Sequence, residues 1–418
     1  MKRSILIGSM LVLVASCLAA DWPRWRGPDG TGHVPAGVTV PQTLPAEPKA
    51  LWRERVGHGL ASPVVSGGRL FHLDNQQGKE VVHAVDAASG KELWSAPLDD
   101  TFRDGHSPPG PRCTPLVDGE RVYVQSCRGE FRCLRVADGK EIWRVNFVKD
   151  FGAVFIGERG SAAGADRHGN SGSAVIDGDR VIVAAGGRKG ASVVCLDKRS
   201  GKVIWKSQND VQGHGGAVVA TILGVKQVVS FTAEAVIGLD VRDGKLLWRA
   251  PVKTRLGRHV ITPVVVDDTV VVSSYLAGLI GVRIAKEGEA FRAERAWLSK
   301  ALAVNFMNPV AVGSHVYGLG PGKSLFCVDV RTGKKAWVEK GFFSGMVGRG
   351  YASFVVMKDR ILVLAERGQL LLVAADPKRC RVIGRTRVCG QNWCHPAYVD
   401  GKLFLRDERE LRCVGLMP

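Results

Sequence analysis

The nine residues Asp329-Val-Arg-Thr-Gly-Lys-Lys-Ala-Trp337 recur along this chain, and no other feature restricts its fold as much. The copies are Asp86-Ala-Ala-Ser-Gly-Lys-Glu-Leu-Trp94, Asp197-Lys-Arg-Ser-Gly-Lys-Val-Ile-Trp205 and Asp240-Val-Arg-Asp-Gly-Lys-Leu-Leu-Trp248. A fifth, Arg135-Val-Ala-Asp-Gly-Lys-Glu-Ile-Trp143, changes only the leading acid. Each follows a β-branched run and precedes another strand-like stretch. Strand patterning repeated every roughly 40–50 residues denotes radial β units, as in propellers.

Between and after the copies lie hairpin cores such as Val117-Asp-Gly-Glu-Arg-Val-Tyr-Val124, Ile176-Asp-Gly-Asp-Arg-Val-Ile-Val183 and Val399-Asp-Gly-Lys-Leu-Phe-Leu405. Asp-Gly between alternating apolar residues is a strong hairpin signal. A first unit opens at Ala61, and others span 112–147, 172–208, 215–252, 261–300, 308–341 and 351–388. The last, 395–416, stops after three strands, while Ala50-Leu-Trp-Arg-Glu-Arg-Val56 carries a Trp with no repeat before it. The spacing therefore predicts an all-β, eight-bladed propeller over 50–418, with the N-terminal strand completing the last blade. Closure hides edges that an open array would expose.

Within the motif, Asp and Ser/Thr cap turn amides, Gly takes positive φ, and Trp buries its ring against the next blade. Trp52, Trp94, Trp143, Trp205, Trp248 and Trp337 are the expected blade joints. Two units depart from the pattern. Eight residues after Arg283 stands Phe291, with an insertion before Trp297, and eight after Ala375 stands Ile383. Those joints are expected to be weaker.

Residues 1–20 read as a signal peptide: Lys2 and Arg3, an apolar run from Ile5 to Val14, and a small-residue exit at Cys17-Leu-Ala-Ala20. Cleavage after Ala20 gives a periplasmic or secreted protein. Val14-Ala-Ser-Cys17 also resembles a lipobox, which would make an outer-membrane lipoprotein anchored at Cys17, and a membrane is a partner only in that case. Residues 21–49 form a Trp/Pro-rich extension, a cap at Asp21-Trp-Pro-Arg-Trp-Arg-Gly-Pro-Asp-Gly-Thr-Gly32 followed by a Pro-rich linker. The net charge is +18. Lys and Arg are scattered through the turns without a basic run, so nucleic acid is not an expected partner and a solvated surface is the plain reading.

The motif resembles the pyrroloquinoline-quinone-type (PQQ-like) propeller repeat over nearly the whole mature chain. Trp22-Pro-Arg-Trp-Arg-Gly-Pro28 looks like the start of exported PQQ-like repeat proteins of the planctomycete type. In length and blade number the chain is similar to the BamB-like assembly scaffolds, which are not catalytic. The resemblance implies the fold. It does not imply the quinone, since many proteins of this class bind none.

Candidate chemistry is sparse. Aligning the units places Cys133, Cys195, Cys327 and Cys413 in one small-residue slot, where they read as packing. Cys389 and Cys394 are close enough for a local disulfide, and Cys113, Cys127 and Cys380 have no assignment. Cys389-Gly-Gln-Asn-Trp-Cys394-His395 has the order of a c-type haem attachment but the wrong spacing. The loops entering the inner strands carry His58, His106, His168, His214 and His259, with Asn305, Arg349 and His395 at matching positions. In a propeller such loops converge around the central channel, so these residues are the candidate ligand-binding ring.

Two readings follow. One is a non-catalytic binding or scaffold propeller with a protein or cell-envelope partner, or a ligand, at a His-rich mouth, and no cofactor. The alternative is a PQQ-dependent quinoprotein dehydrogenase acting on an alcohol or sugar with Ca²⁺. The second lacks the adjacent cysteine pair that the resemblance would imply, and its nearest channel-loop acids, Asp104 and Glu158, have no ligand-like spacing. The sequence therefore leans towards binding.

Overall fold

In the computed structural model, which describes residues 21–104, 107–153, 169–254, 257–275, 277–343 and 350–417, eight four-stranded antiparallel sheets stand around one axis. Seven are contiguous: 64–100, 116–146, 175–207, 218–251, 264–299, 310–339 and 352–387, called blades one to seven. Blade eight takes three strands from 397–415 and its outer strand from Ala50–Arg55, which sets Trp52 opposite Cys413. The expected closure by the N-terminal strand is what the fold shows.

The motif is the joint. In blade one, Asp86 Oδ1 accepts from the Ser89 amide at 2.8 Å and the Ser89 hydroxyl at 2.6 Å. Gly90 follows at φ +78, and a Cβ there would lie 2.7 Å from the Trp52 ring of blade eight. Trp52 Nε1 donates to the Ala87 carbonyl of the same turn at 2.9 Å. The indoles of Trp94, Trp143 and Trp205 make the same bond to Val136, Lys198 and Val241. Each ring thus covers a neighbour's glycine and satisfies its own N–H. Across its own sheet each ring faces the small slot, where Cys133, Cys195, Cys327 and Cys413 stand buried opposite Trp143, Trp205, Trp337 and Trp52.

The two irregular units differ from expectation. Trp297 keeps the joint position: it stands opposite Gly281, donates to the Val330 carbonyl at 2.7 Å, and covers Gly333. The insertion only lengthens the hairpin Gly278–Glu287/Ala290–Ser299 outwards. Blade five then offers no motif turn to blade four, so Trp248 donates to Gln227 Oε1 within its own sheet at 2.6 Å. In blade seven the turn is longer, since the Ala374 amide closes on Arg381 rather than five residues on. Gly384, not Ile383, takes the Trp position, opposite Leu372.

Leu44 fills the gap left at Gly384, its Cβ 3.2 Å from where a Gly384 Cβ would be. The stretch expected to be a linker is therefore packed in place. Val38, Val40 and Leu44 are buried, Tyr398 donates to the Thr39 carbonyl at 2.6 Å, and Thr386 donates to Ala46 at 2.9 Å. Leu44→Ala should cost about 2–3 kcal/mol in chemical denaturation, whereas an inert linker would give no change.

The extension goes further than a cap. Trp22 exchanges both backbone hydrogen bonds with Val65 of blade one, and Pro23 accepts from Val117 of blade two. Arg26 Nη2 donates to the Pro309 carbonyl beside blade six at 2.8 Å, and Gly32 accepts from Val356 of blade seven. These partners lie in or beside inner strands from across the ring, so residues 22–34 cross the channel and stopper it.

Candidate functional site

The loops that enter the inner strands form a mouth above the stopper, with a cavity of about 150 Å³. Its floor is Trp25, whose indole donates to Thr262 Oγ1 at 3.1 Å. One wall is aromatic. Tyr351 stacks on Trp393 at 5.5 Å, and Phe306 meets Trp393 edge-on at 5.7 Å. The polar part of the lining is Arg112, Ser171, His214 and Asn308. Ser171 Oγ and His214 Nδ1 are hydrogen-bonded at 3.0 Å, and Asn308 Oδ1 accepts from the Thr262 amide at 2.6 Å.

Arg112 supplies the positive charge. Its guanidinium donates to Asp104 at 2.9 Å and to Ser107 Oγ at 2.9 Å, and lies 5.1 Å above the Phe102 ring. Burial opposes that charge, but Cys127, Asp104 and Glu80 more than compensate, and the group is held above its ordinary value.

The expected histidine ring is not what the described residues form. His214 lines the mouth. His58 is exposed away from the cavity lining, its carbonyl accepting from the Asn75 amide. His259 is buried, stacked on Phe231 at 4.1 Å, with its Nδ1 2.6 Å from the Thr232 carbonyl. His395 is buried beneath the stopper, stacked on Trp22 at 6.1 Å and edge-on to Trp25 at 5.5 Å. Asn305 is half-buried beside Phe306, outside the lining. His106, His168 and Arg349, like Glu158 and residues 1–20, lie outside the described residues. What sequence reading missed is the aromatic wall, although Phe306 and Trp393 stand in the same loops.

Burial pushes His259 and His395 down to about 4. The unfolded chain takes up these protons near 6.5, so each site makes stability fall between about pH 6.5 and 4 and then level off. Glu80, pushed up to about 7 by burial, slopes the other way between 4.5 and 7. Comparing wild type with H395Q isolates one site. The variant should lose about 2–3 kcal/mol of pH-dependence in denaturation followed from pH 7 to 4, and parallel curves would show that His395 is not held neutral.

Cys389 and Cys394 are not bonded to each other, and the thiols of all nine cysteines among the described residues are free. A second cavity, about 400 Å³, lies between the stopper residues Arg26, Asp29, Gly30, Thr31 and His33 and the inner strands of blades four and five.

With this geometry in place, comparison with known proteins is decisive for the family. A family model described as "Outer membrane protein assembly factor BamB" matches residues 43–167 and 78–339. The chain belongs to the BamB family of PQQ-like propellers. BamB of Shewanella oneidensis is 22% identical over 441 residues, covering 100% of this chain and 99% of that protein. The crystal structure of Moraxella catarrhalis BamB superposes with a TM-score of 0.59 at 15% identity, covering 88% of this chain and 100% of that one. The quinohemoprotein alcohol dehydrogenase of Comamonas testosteroni superposes with a TM-score of 0.62 at 12% identity, covering 96% and 82%. At these identities the structural likenesses establish the propeller and nothing finer.

Proposed function

We propose that this BamB-family chain is an exported, non-catalytic binding or scaffold propeller that holds a ligand or an envelope protein partner at its mouth. The observation that carries the reading is the makeup of the mouth. It is closed below by Trp25, walled by Tyr351, Trp393 and Phe306, and charged by Arg112. Tyr, Trp and Arg are the residue types that dominate binding hot spots. No carboxylate is among the described lining residues, so they offer recognition groups without a carboxylate base. A relative named as an assembly factor supports a protein partner in the cell envelope. The place of action is the periplasm or the exterior, or the outer membrane if Cys17 carries a lipid.

The quinoprotein dehydrogenase is the reading from another class, and it shares the fold with this chain. The described residues do not fit its metal. Ca²⁺ takes about 6–8 oxygen ligands, yet no group of three His, Cys, Asp or Glu side chains among the described residues is placed to hold a metal. Asp104 is committed to Arg112, and Asn308 Oδ1 to the Thr262 amide.

The test is photo-cross-linking in the exported protein. A photoreactive residue at Ser173, on the mouth, should capture a defined partner, while one at Val203, on the outer rim, should not. Equal capture from both positions would remove the mouth from the account.

A further inference from the structure

Cys113 and Cys127 are thiols that the repeat pattern leaves unexplained, and the fold sets them side by side. The register of blade two pairs Leu116 with Tyr123 and Val117 with Val122. Continued beyond the strand end, that register brings Cys113 opposite Ser126, one residue from Cys127. Both cysteines rest on Asn170: Cys113 Sγ donates to its carbonyl at 3.1 Å, and its amide donates to the Cys127 carbonyl at 2.8 Å. Burial, and after it the neighbouring Cys127 thiol, push the Cys113 thiol well above its ordinary value. Gln125 Nε2 adds a third contact, 3.3 Å from Cys113 Sγ.

The surroundings set this pair apart from the other cysteines. The slot cysteines stand singly in different blades, each facing a tryptophan. Around Cys113 and Cys127 the neighbours are polar and buried. One Glu80 oxygen accepts from the Phe102 amide at 3.2 Å, and the other has no partner among the described residues. Arg112 and Thr114, on either side of Cys113, both line the mouth. A bond at Cys113 would therefore hold one wall of the binding cavity.

We propose that Cys113 and Cys127 form a disulfide as the chain folds in an oxidising compartment, and that this bond fixes the Arg112–Thr114 wall of the mouth. Both side chains are buried in the folded protein, so the bond forms before blade two is sealed. The oxidant is a small or protein disulfide. Two S–H bonds break, one S–S bond forms, and two electrons and two protons pass to the oxidant, which leaves as two thiols. Export makes such a bond durable, and closing the short 113–127 loop restricts the unfolded chain.

The experiment refolds the full chain from denaturant in a mixture of reduced and oxidised glutathione, followed by alkylation and digestion without reductant. The expected result is an intact mass lower by two hydrogens and two fewer alkylated cysteines than in the reduced chain. One cross-linked peptide should join Cys113 to Cys127 and vanish with reductant. The melting temperature of wild type should fall by several degrees in reductant, and that of C113A/C127A should not move. If the double variant fails to fold, the wild-type mass and peptide map still decide. Complete alkylation without reductant, or a bond joining Cys389 to Cys394 instead, would overturn the proposal.

Discussion

Trp52→Ala is expected to remove about 3–5 kcal/mol of stability and to do more damage than the same change in any other blade. The indole is 9% exposed, packs on Phe404 at 6.2 Å, covers Gly90 and donates to Ala87. Trp205→Ala removes a comparable contact, but there blades three and four remain joined by the chain between them. Blade eight meets blade one through a strand contributed from the other end of the repeat array. Loosening Ala50–Arg55 frees the edge of the strand Glu410–Gly415, which can then pair with another molecule. Urea denaturation should show the larger loss for W52A, and hydrogen exchange should show protection falling first at 50–55 and 410–415. Equal losses with unchanged protection there would deny the strand its closing role.

Trp22→Ala should cost a similar amount, about 3–5 kcal/mol, and should also disable the mouth. Trp22 is 1% exposed, lies over Gly27, and stacks on His395. Gly27 has φ +81, and a Cβ there would lie 2.9 Å from the indole, so the turn is shaped around this ring. Removing the ring lets water reach His395 and frees Trp25, three residues on, from its place as floor. Two signals should change together: the melting temperature falls, and the His395 pKa, read by NMR, climbs from about 4 towards its usual value. A drop in melting temperature with His395 unmoved would mean that Trp22 is packing alone and does not seal the channel.

How much of this could be read from the sequence depends on where each determinant lies. Features fixed by neighbours along the chain were legible. The Asp–Ser–Gly turn is local, so its copies gave the blades, the unpaired Ala50–Val56 strand gave the closure, and the slot two residues upstream gave the role of four cysteines. Features fixed across strands were not. Counting eight residues from Arg283 missed Trp297, because the hairpin lengthens outwards and then returns to register opposite Gly281. Ile383 was the expected substitute in blade seven, but the filler is Leu44, some 340 residues away in the chain. The buried histidines turn on a third factor. Their spacing places them in the right loops, but a loop position does not set which way a side chain turns. His259 and His395 turn into aromatic packing instead of the cavity, and Phe306 and Trp393, in the same set of loops, face it.

Binding without catalysis is the central claim, and reconstitution with PQQ and Ca²⁺ tests it most directly. Purified full-length protein is titrated with both, followed by absorbance for bound quinone and by dye-linked oxidation of alcohols and aldoses. The account predicts no saturable quinone spectrum and no turnover above the protein-free control. Saturable quinone binding accompanied by turnover would contradict it.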